Sequence, residues 1–160
     1  GNGAVNGAVS VAAGGRLAPG GPVGSLWVAS LSLSTGAVHA VDIAGTTFAL
    51  NDTEQYDRVK IPASEALALN EAILTVDLGT YRPAKSGLLY GIIQNETSSP
   101  VQGTFAGLPE GATVVEDGDF ELRITYTGNV TDSAVSGRGT GNDVVLYSAP
   151  KWIGTTLIMR

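Results

Sequence analysis

The chain contains no cysteine, which excludes a disulfide framework, thiolate metal ligands and cysteine nucleophiles. Histidine occurs once, as His39, and no G-x-S-x-G turn is present, so serine-histidine catalysis lacks its parts. Charge is scarce as well: 15% of residues are charged, and nine Lys and Arg against fifteen Asp and Glu leave a net charge of -6. With no basic stripe, neither nucleic acid nor an anionic lipid surface is expected as a partner. No apolar run approaches the ~20 residues of a spanning helix, so no membrane span is expected. The first residues also lack the basic and apolar regions of a secretory leader.

What remains is rich in small and β-branched residues, with 22 glycines in 160 residues. Such a composition is neither disordered nor collagen-like, and it predicts an all-β chain of short strands and frequent turns in one domain. Residues 1–41 hold one formally charged side chain, Arg16. Within them VNGAVSVAAGG (5–15) and GSLWVASLSLSTGAV (24–38) are each an apolar/polar alternation closed by glycine. Strands this short cannot each bury a face alone, so stacking as the rungs of a parallel solenoid is expected. The prolines and glycines of LAPGGPVGS (17–25) mark a corner. The expected division is Gly-rich rungs over 1–41 and a larger β-rich unit over 42–160, continuous with them.

Further along, AVHAVDIAGTTFAL predicts Val38, Ala40, Ile43 and Phe48 as inward residues. In EALALNEAILTVDLG two alternating runs meet at Asn70-Glu71, where Asn suits a left-handed turn and Glu is a poorer second residue than Gly. A helix over 63–72 capped by Ser64 is the competing reading, and the alternation of Leu67, Leu69, Ile73 and Thr75 favours strands. GLLYGII (87–93) reads as a strand buried on both faces. LRITYTG and DVVLYS read as later strands, with KWIGTTLIMR as a closing one.

The words VNGAVSVAAGGRLAPG, QYDRVKI, GTFAGLPEGA, LRITYTG and GNDVVL, in that order, resemble the terminal region of bacterial autotransporter-associated β-strand repeat proteins. The resemblance runs from Val5 to Leu146 and implies a right-handed parallel β-helix at the cell surface or outside the cell. In this chain NVTDSAVSGRGT (129–140) intervenes before GNDVVL, and Asn70-Glu71 stands where the family has Asn-Gly. No translocator barrel or sorting tail precedes Arg160, so export through a barrel of its own is not expected.

Candidate sites are few. GTGNDVV (139–145) fits the G-x-G-x-D turn of calcium-binding β-rolls, with Asp143 and Asn142 as ligand candidates. A second stacked copy is absent, and Glu116, Asp117, Asp119 and Glu121 of EDGDFEL lack EF-hand spacing, so the turn reading prevails and no cofactor is expected. Asp117 with Asp119, or Asp52 with Glu54 and Asp57, are candidate carboxylate pairs for glycoside hydrolysis. Gly111 and Gly118 instead suggest an exposed hairpin, and no enzyme is expected. Ser30, Ser32 and Ser34 form a polar ladder on one strand face. Sequons at Asn51, Asn95 and Asn129 are attributed to abundant Ser and Thr. Trp27 and Trp152 are the aromatic candidates for stacking a sugar.

Because residues 1–41 neither charge nor cap their strand edge, the expected function is a non-enzymatic extracellular structural protein. It would self-assemble head to tail as a homo-oligomer or filament at the bacterial surface. An adhesin or carbohydrate-binding module recognising surface glycans is the alternative.

Overall fold

The computed structural model describes residues 2–47, 54–62, 66–84, 86–132, 134–137 and 139–151. Among them the chain is all-β with no helix. Twelve strands follow in order: β1 (Gly3–Val11), β2 (Arg16–Leu17), β3 (Ser25–Leu33), β4 (Val38–Asp42), β5 (Arg58–Ile61) and β6 (Leu67–Ala68). The remainder are β7 (Ile73–Asp77), β8 (Leu89–Asn95), β9 (Thr113–Asp117), β10 (Phe120–Val130), β11 (Val135–Ser136) and β12 (Asp143–Pro150).

Two sheets result. The larger has nine strands, ordered β1-β3-β5-β8-β12-β10-β11, with β6 on β3 and β9 on β10. The smaller is β2-β4-β7. Pairing is parallel from β1 through β8 and throughout the small sheet. From β8 to β12, β10, β9 and β11 it is antiparallel. The sheets are therefore mixed and not a clear parallel β-helix, with the antiparallel pairing in the last third of the chain. There the hairpin turn at Gly118 (φ 58°) returns β10 directly along β9, which only antiparallel strands allow. Strand β4 runs across the expected division at residue 42 and pairs with both β2 and β7.

The parallel part is stacked by its corners. Gly14 (φ 78°) and Gly36 (φ 80°) occupy equivalent corners, and the Gly14 N–H donates to the Gly36 carbonyl at 3.0 Å. In the next turn of the chain Asn70 (φ 44°) and Glu71 (φ 57°) take that place. The Asn70 Nδ2 donates to the Leu33 carbonyl at 2.9 Å, and the Thr35 hydroxyl donates to the Asn70 carbonyl at 2.8 Å. Strands Leu67–Ala68 and Ile73–Asp77 flank this turn, as the alternation predicts; residues 63–65, including the proposed cap Ser64, lie outside the described residues.

One inward assignment is corrected. Ala40 and Ile43 are buried as expected, and Ala37, His39 and Val41 are buried with them, whereas Val38 is only half-buried. Leu17, His39 and Leu74 are in register across the small sheet, so the histidine lies in an otherwise apolar column. Its ring stacks on Phe105, centroids 6.0 Å apart and 5° from parallel. Phe48 lies outside the described residues. Strand β8 is buried on both faces as its apolar run predicts.

Candidate functional site

The two parallel stacks end together. β1 is the terminal strand of the large sheet and β2 of the small one, so one end of the molecule presents a strand edge from each. Val9 and Val11 are in register with Leu31 and Leu33. Leu31 is 1% exposed and Leu33 0%, whereas Val9 and Val11 remain half-buried, because among the described residues no strand covers them. Nine residues of β1 carry no charge, and charge is the usual device that blocks pairing at an edge.

The opposite end is built differently, although its terminal strands β11, β9 and β7 are edges as well. Strands β12 and β10 turn the large sheet antiparallel, and charged pairs lie over that end. Arg82 Nε meets Asp117 at 2.9 Å, Lys151 Nζ meets Glu116 at 2.9 Å, and Arg123 meets Glu121 at 2.6 Å.

The turn GTGND lies in this antiparallel part. Each oxygen of the buried Asp143 carboxylate accepts one backbone N–H at 2.6 Å, that of Asn95 at Oδ1 and that of Val130 at Oδ2. Burial raises its pKa from 3.8 to about 6, with the Val130 and Asn95 donors pulling the other way. Asn142 Nδ2 donates to the carbonyls of Thr97 (2.5 Å) and Ser99 (2.9 Å), and its own carbonyl accepts from Asn95 Nδ2 at 3.1 Å. A Cβ on Gly141 would lie 1.8 Å from the Gly128 carbonyl oxygen. The glycine-aspartate spacing thus serves a close backbone crossing and a carboxylate clasp. Among the described residues no three His, Cys, Asp or Glu side chains gather in a metal-binding group.

The other candidates are dispersed. Asp117 ends β9 and pairs with Arg82, while Asp119 is an exposed turn residue, so the two do not share a strand face. Asp57 is buried and accepts the N–H groups of Gly24 (2.8 Å) and Asp42 (3.0 Å). Glu54 bonds Ser25 Oγ and pairs with Arg58. Asp52, Asn51 and Trp152 lie outside the described residues. The Asn95 side chain is buried, which leaves no room for a glycan, whereas Asn129 is exposed. Ser32 and Ser34 face solvent and Ser30 is half-buried.

One polar cluster has no signal in residue order. Buried Lys60 reaches Glu96 at 3.0 Å and Asp132 at 2.5 Å, and its ammonium sits 4.3 Å from the centre of the Trp27 ring. Buried Arg58 donates to Gln94 at 3.2 Å. These residues come from separate strands and loops, and only the alternation of charge in RVKI marks two of them as sharing a face.

No family model, curated protein or solved structure matches the chain.

Proposed function

We propose that the chain is a non-enzymatic structural module that works outside the cell and assembles by β-strand stacking through its open end. Its β1 to β8 portion is read as parallel β-helix rungs, and the antiparallel strands as the device that ends the stack. The half-exposed Val9 and Val11, at positions where Leu31 and Leu33 are fully covered, carry this reading. A surface or filament role agrees with the resemblance to autotransporter-associated repeat proteins and with the low charge of residues 1–41. A head-to-tail contact would join the open end of one copy to the far end of the next, and such heterologous contacts propagate into a filament.

The test is sedimentation over a wide concentration range, with negative-stain microscopy, for the wild type and for Ala8→Lys/Ser10→Lys. Both substituted residues are exposed on β1, and edge lysines oppose strand addition. Assembly of the wild type and its loss in the variant, at an unchanged unfolding midpoint, are expected. A wild type that stays monomeric at high concentration overturns the proposal.

A second reading, glycan recognition by an adhesin-type surface, rests on Trp27. Its side chain is 39% exposed beside a hollow of about 210 Å³ bordered by Ala4, Val5, Asn6 and Pro62, and an indole face suits stacking on a sugar ring. Glycan binding lost in Trp27→Ala supports it; equal binding by both proteins ends it.

A further inference from the structure

We propose that the side chains of Lys60 and Asp132 join in an intramolecular amide, a covalent cross-link between the parallel and antiparallel parts of the fold, with Glu96 carrying the proton.

The three residues come from separate segments. Lys60 lies in β5, Glu96 directly follows β8, and Asp132 lies between β10 and β11. Lys60 is in register with Trp27 on one side and Gln94 on the other, so these side chains stand on one face of the large sheet. The Lys60 side chain is 4% exposed, and its Nζ lies 2.5 Å from Asp132 Oδ1 and 3.0 Å from Glu96 Oε1. The Trp27 ring covers the amine, its centre 4.3 Å away. Gln94 Nε2 donates to Glu96 Oε1 at 2.9 Å and to Asp132 Oδ1 at 3.2 Å, which fixes both carboxylates about one nitrogen.

An ion pair needs one carboxylate. Acyl transfer to an amine needs a nucleophile, an acyl carbon and a second group that moves the proton, and this cluster holds all three. With Asp132 Oδ1 so near, the carboxyl carbon one bond beyond it lies close to the roughly 3–3.5 Å of a near-attack geometry.

The contact begins as an ion pair, in which the Lys60 bond holds the Asp132 carboxyl below the usual carboxylate range. The first step is therefore transfer of one ammonium proton to Asp132, which leaves two neutral groups where little water remains to solvate a charge. The free amine attacks the Asp132 carboxyl carbon. Glu96 takes a proton from the nitrogen and returns it to the departing hydroxyl. One N–C bond forms, one C–O bond breaks, one water leaves, and Glu96 ends as it began. No oxidant or cofactor is consumed. In a chain without cysteine, the amide supplies the closure that a disulfide gives elsewhere, here across 72 residues.

Intact-mass spectrometry of the purified, denatured chain tests this. The wild type is expected to be lighter than its sequence by one water, about 18 Da. Lys60→Arg and Asp132→Ala should have their full sequence masses, and Glu96→Gln should leave most of the chain unlinked. A tryptic digest of the wild type should contain a branched peptide that joins the Lys60 and Asp132 segments, uncut after Lys60. A wild type at its full sequence mass overturns the proposal. So does a loss of water that persists in Lys60→Arg, which would mark a succinimide at Asp117-Gly118, or a branched peptide that carries Glu96 in place of Asp132. The link lies within one chain, so its failure leaves the assembly reading standing.

Discussion

Asp143 and Asn95 are joined by a 2.6 Å bond from the Asn95 backbone N–H to Asp143 Oδ1, across 48 residues of sequence, while Oδ2 holds the Val130 N–H. One side chain thus clasps the end of β8 to β10 at the start of β12. Removing both acceptors strands two buried donors, each costing about 1–3 kcal/mol. Asp143→Ala is therefore expected to lose about 2–5 kcal/mol in urea unfolding, and Asp143→Asn, which keeps one acceptor, roughly half of that. Calcium and chelator are expected to leave the wild-type midpoint unchanged; a rise with calcium would make Asp143 a ligand instead.

The glycines of the same turn separate cleanly. A methyl group on Gly141 would meet the Gly128 backbone oxygen at 1.8 Å, whereas at Gly139 the nearest atom is 3.7 Å away. Gly141→Ala should lose about 3 kcal/mol, at the upper end of overpacking costs, and Gly139→Ala should stay within about 0.5 kcal/mol of wild type. Similar midpoints for the two variants would contradict the close crossing.

Acid titration should show opposing groups. Burial raises Asp57 and Asp143 from 3.8 to about 6, against the pull of their backbone donors. Each contributes stability that is full below pH 3.8 and lost as pH rises through about 6. Burial lowers His39 from 6.5 to about 4, offset slightly by the nearby Leu17 backbone. Its contribution is full above pH 6.5 and lost as pH falls towards 4. Between pH 5 and 6, above the range in which the lowered Glu121 and Asp132 titrate, two carboxyls oppose one imidazole, so stability should decline towards pH 6. His39→Phe keeps a flat ring against Phe105 and should roughly double that decline, measured as unfolding free energy at the two pH values. An unchanged slope would show that His39 is not held neutral by its burial.

The strands and corners were legible because they depend on neighbours in sequence: the alternation of 5–15 and 24–38, the apolar run of β8, and the turn at Gly118. The side of the wall taken by His39 was not. AVHAVDI is apolar in both parities, and only Phe105, far along the chain, gives the ring a partner. The antiparallel closure was equally hidden, since it depends on β12 entering between β8 and β10. GTGND illustrates the same limit: the residues that fit a calcium turn also fit a clasp, and the deciding donors, Asn95 and Val130, lie outside the motif. Nothing in the sequence marks Lys60 and Arg58 for burial, because their partners Glu96, Asp132 and Gln94 lie far along the chain.

The corner at Asn70-Glu71 offers a stabilising change. Both residues have positive φ, which costs an ordinary L-residue about 1–2 kcal/mol, and Asn tolerates it better than Glu. Asn70 also holds the Leu33 carbonyl through Nδ2, while Glu71 is exposed and holds its place through a backbone bond to Thr104. Glu71→Gly keeps that bond and relieves the strain, though the freer unfolded chain offsets part of the gain. A net gain of about 0.5–1 kcal/mol is expected in urea unfolding. Asn70→Ala should instead lose about 1–2 kcal/mol, since it gives up both the side-chain bond and the tolerance for the left-handed backbone. If Glu71→Gly destabilises the chain, the left-handed pair is not the geometry of this corner, and the stacking of Asn70-Glu71 on the Gly36 corner would have to be redrawn.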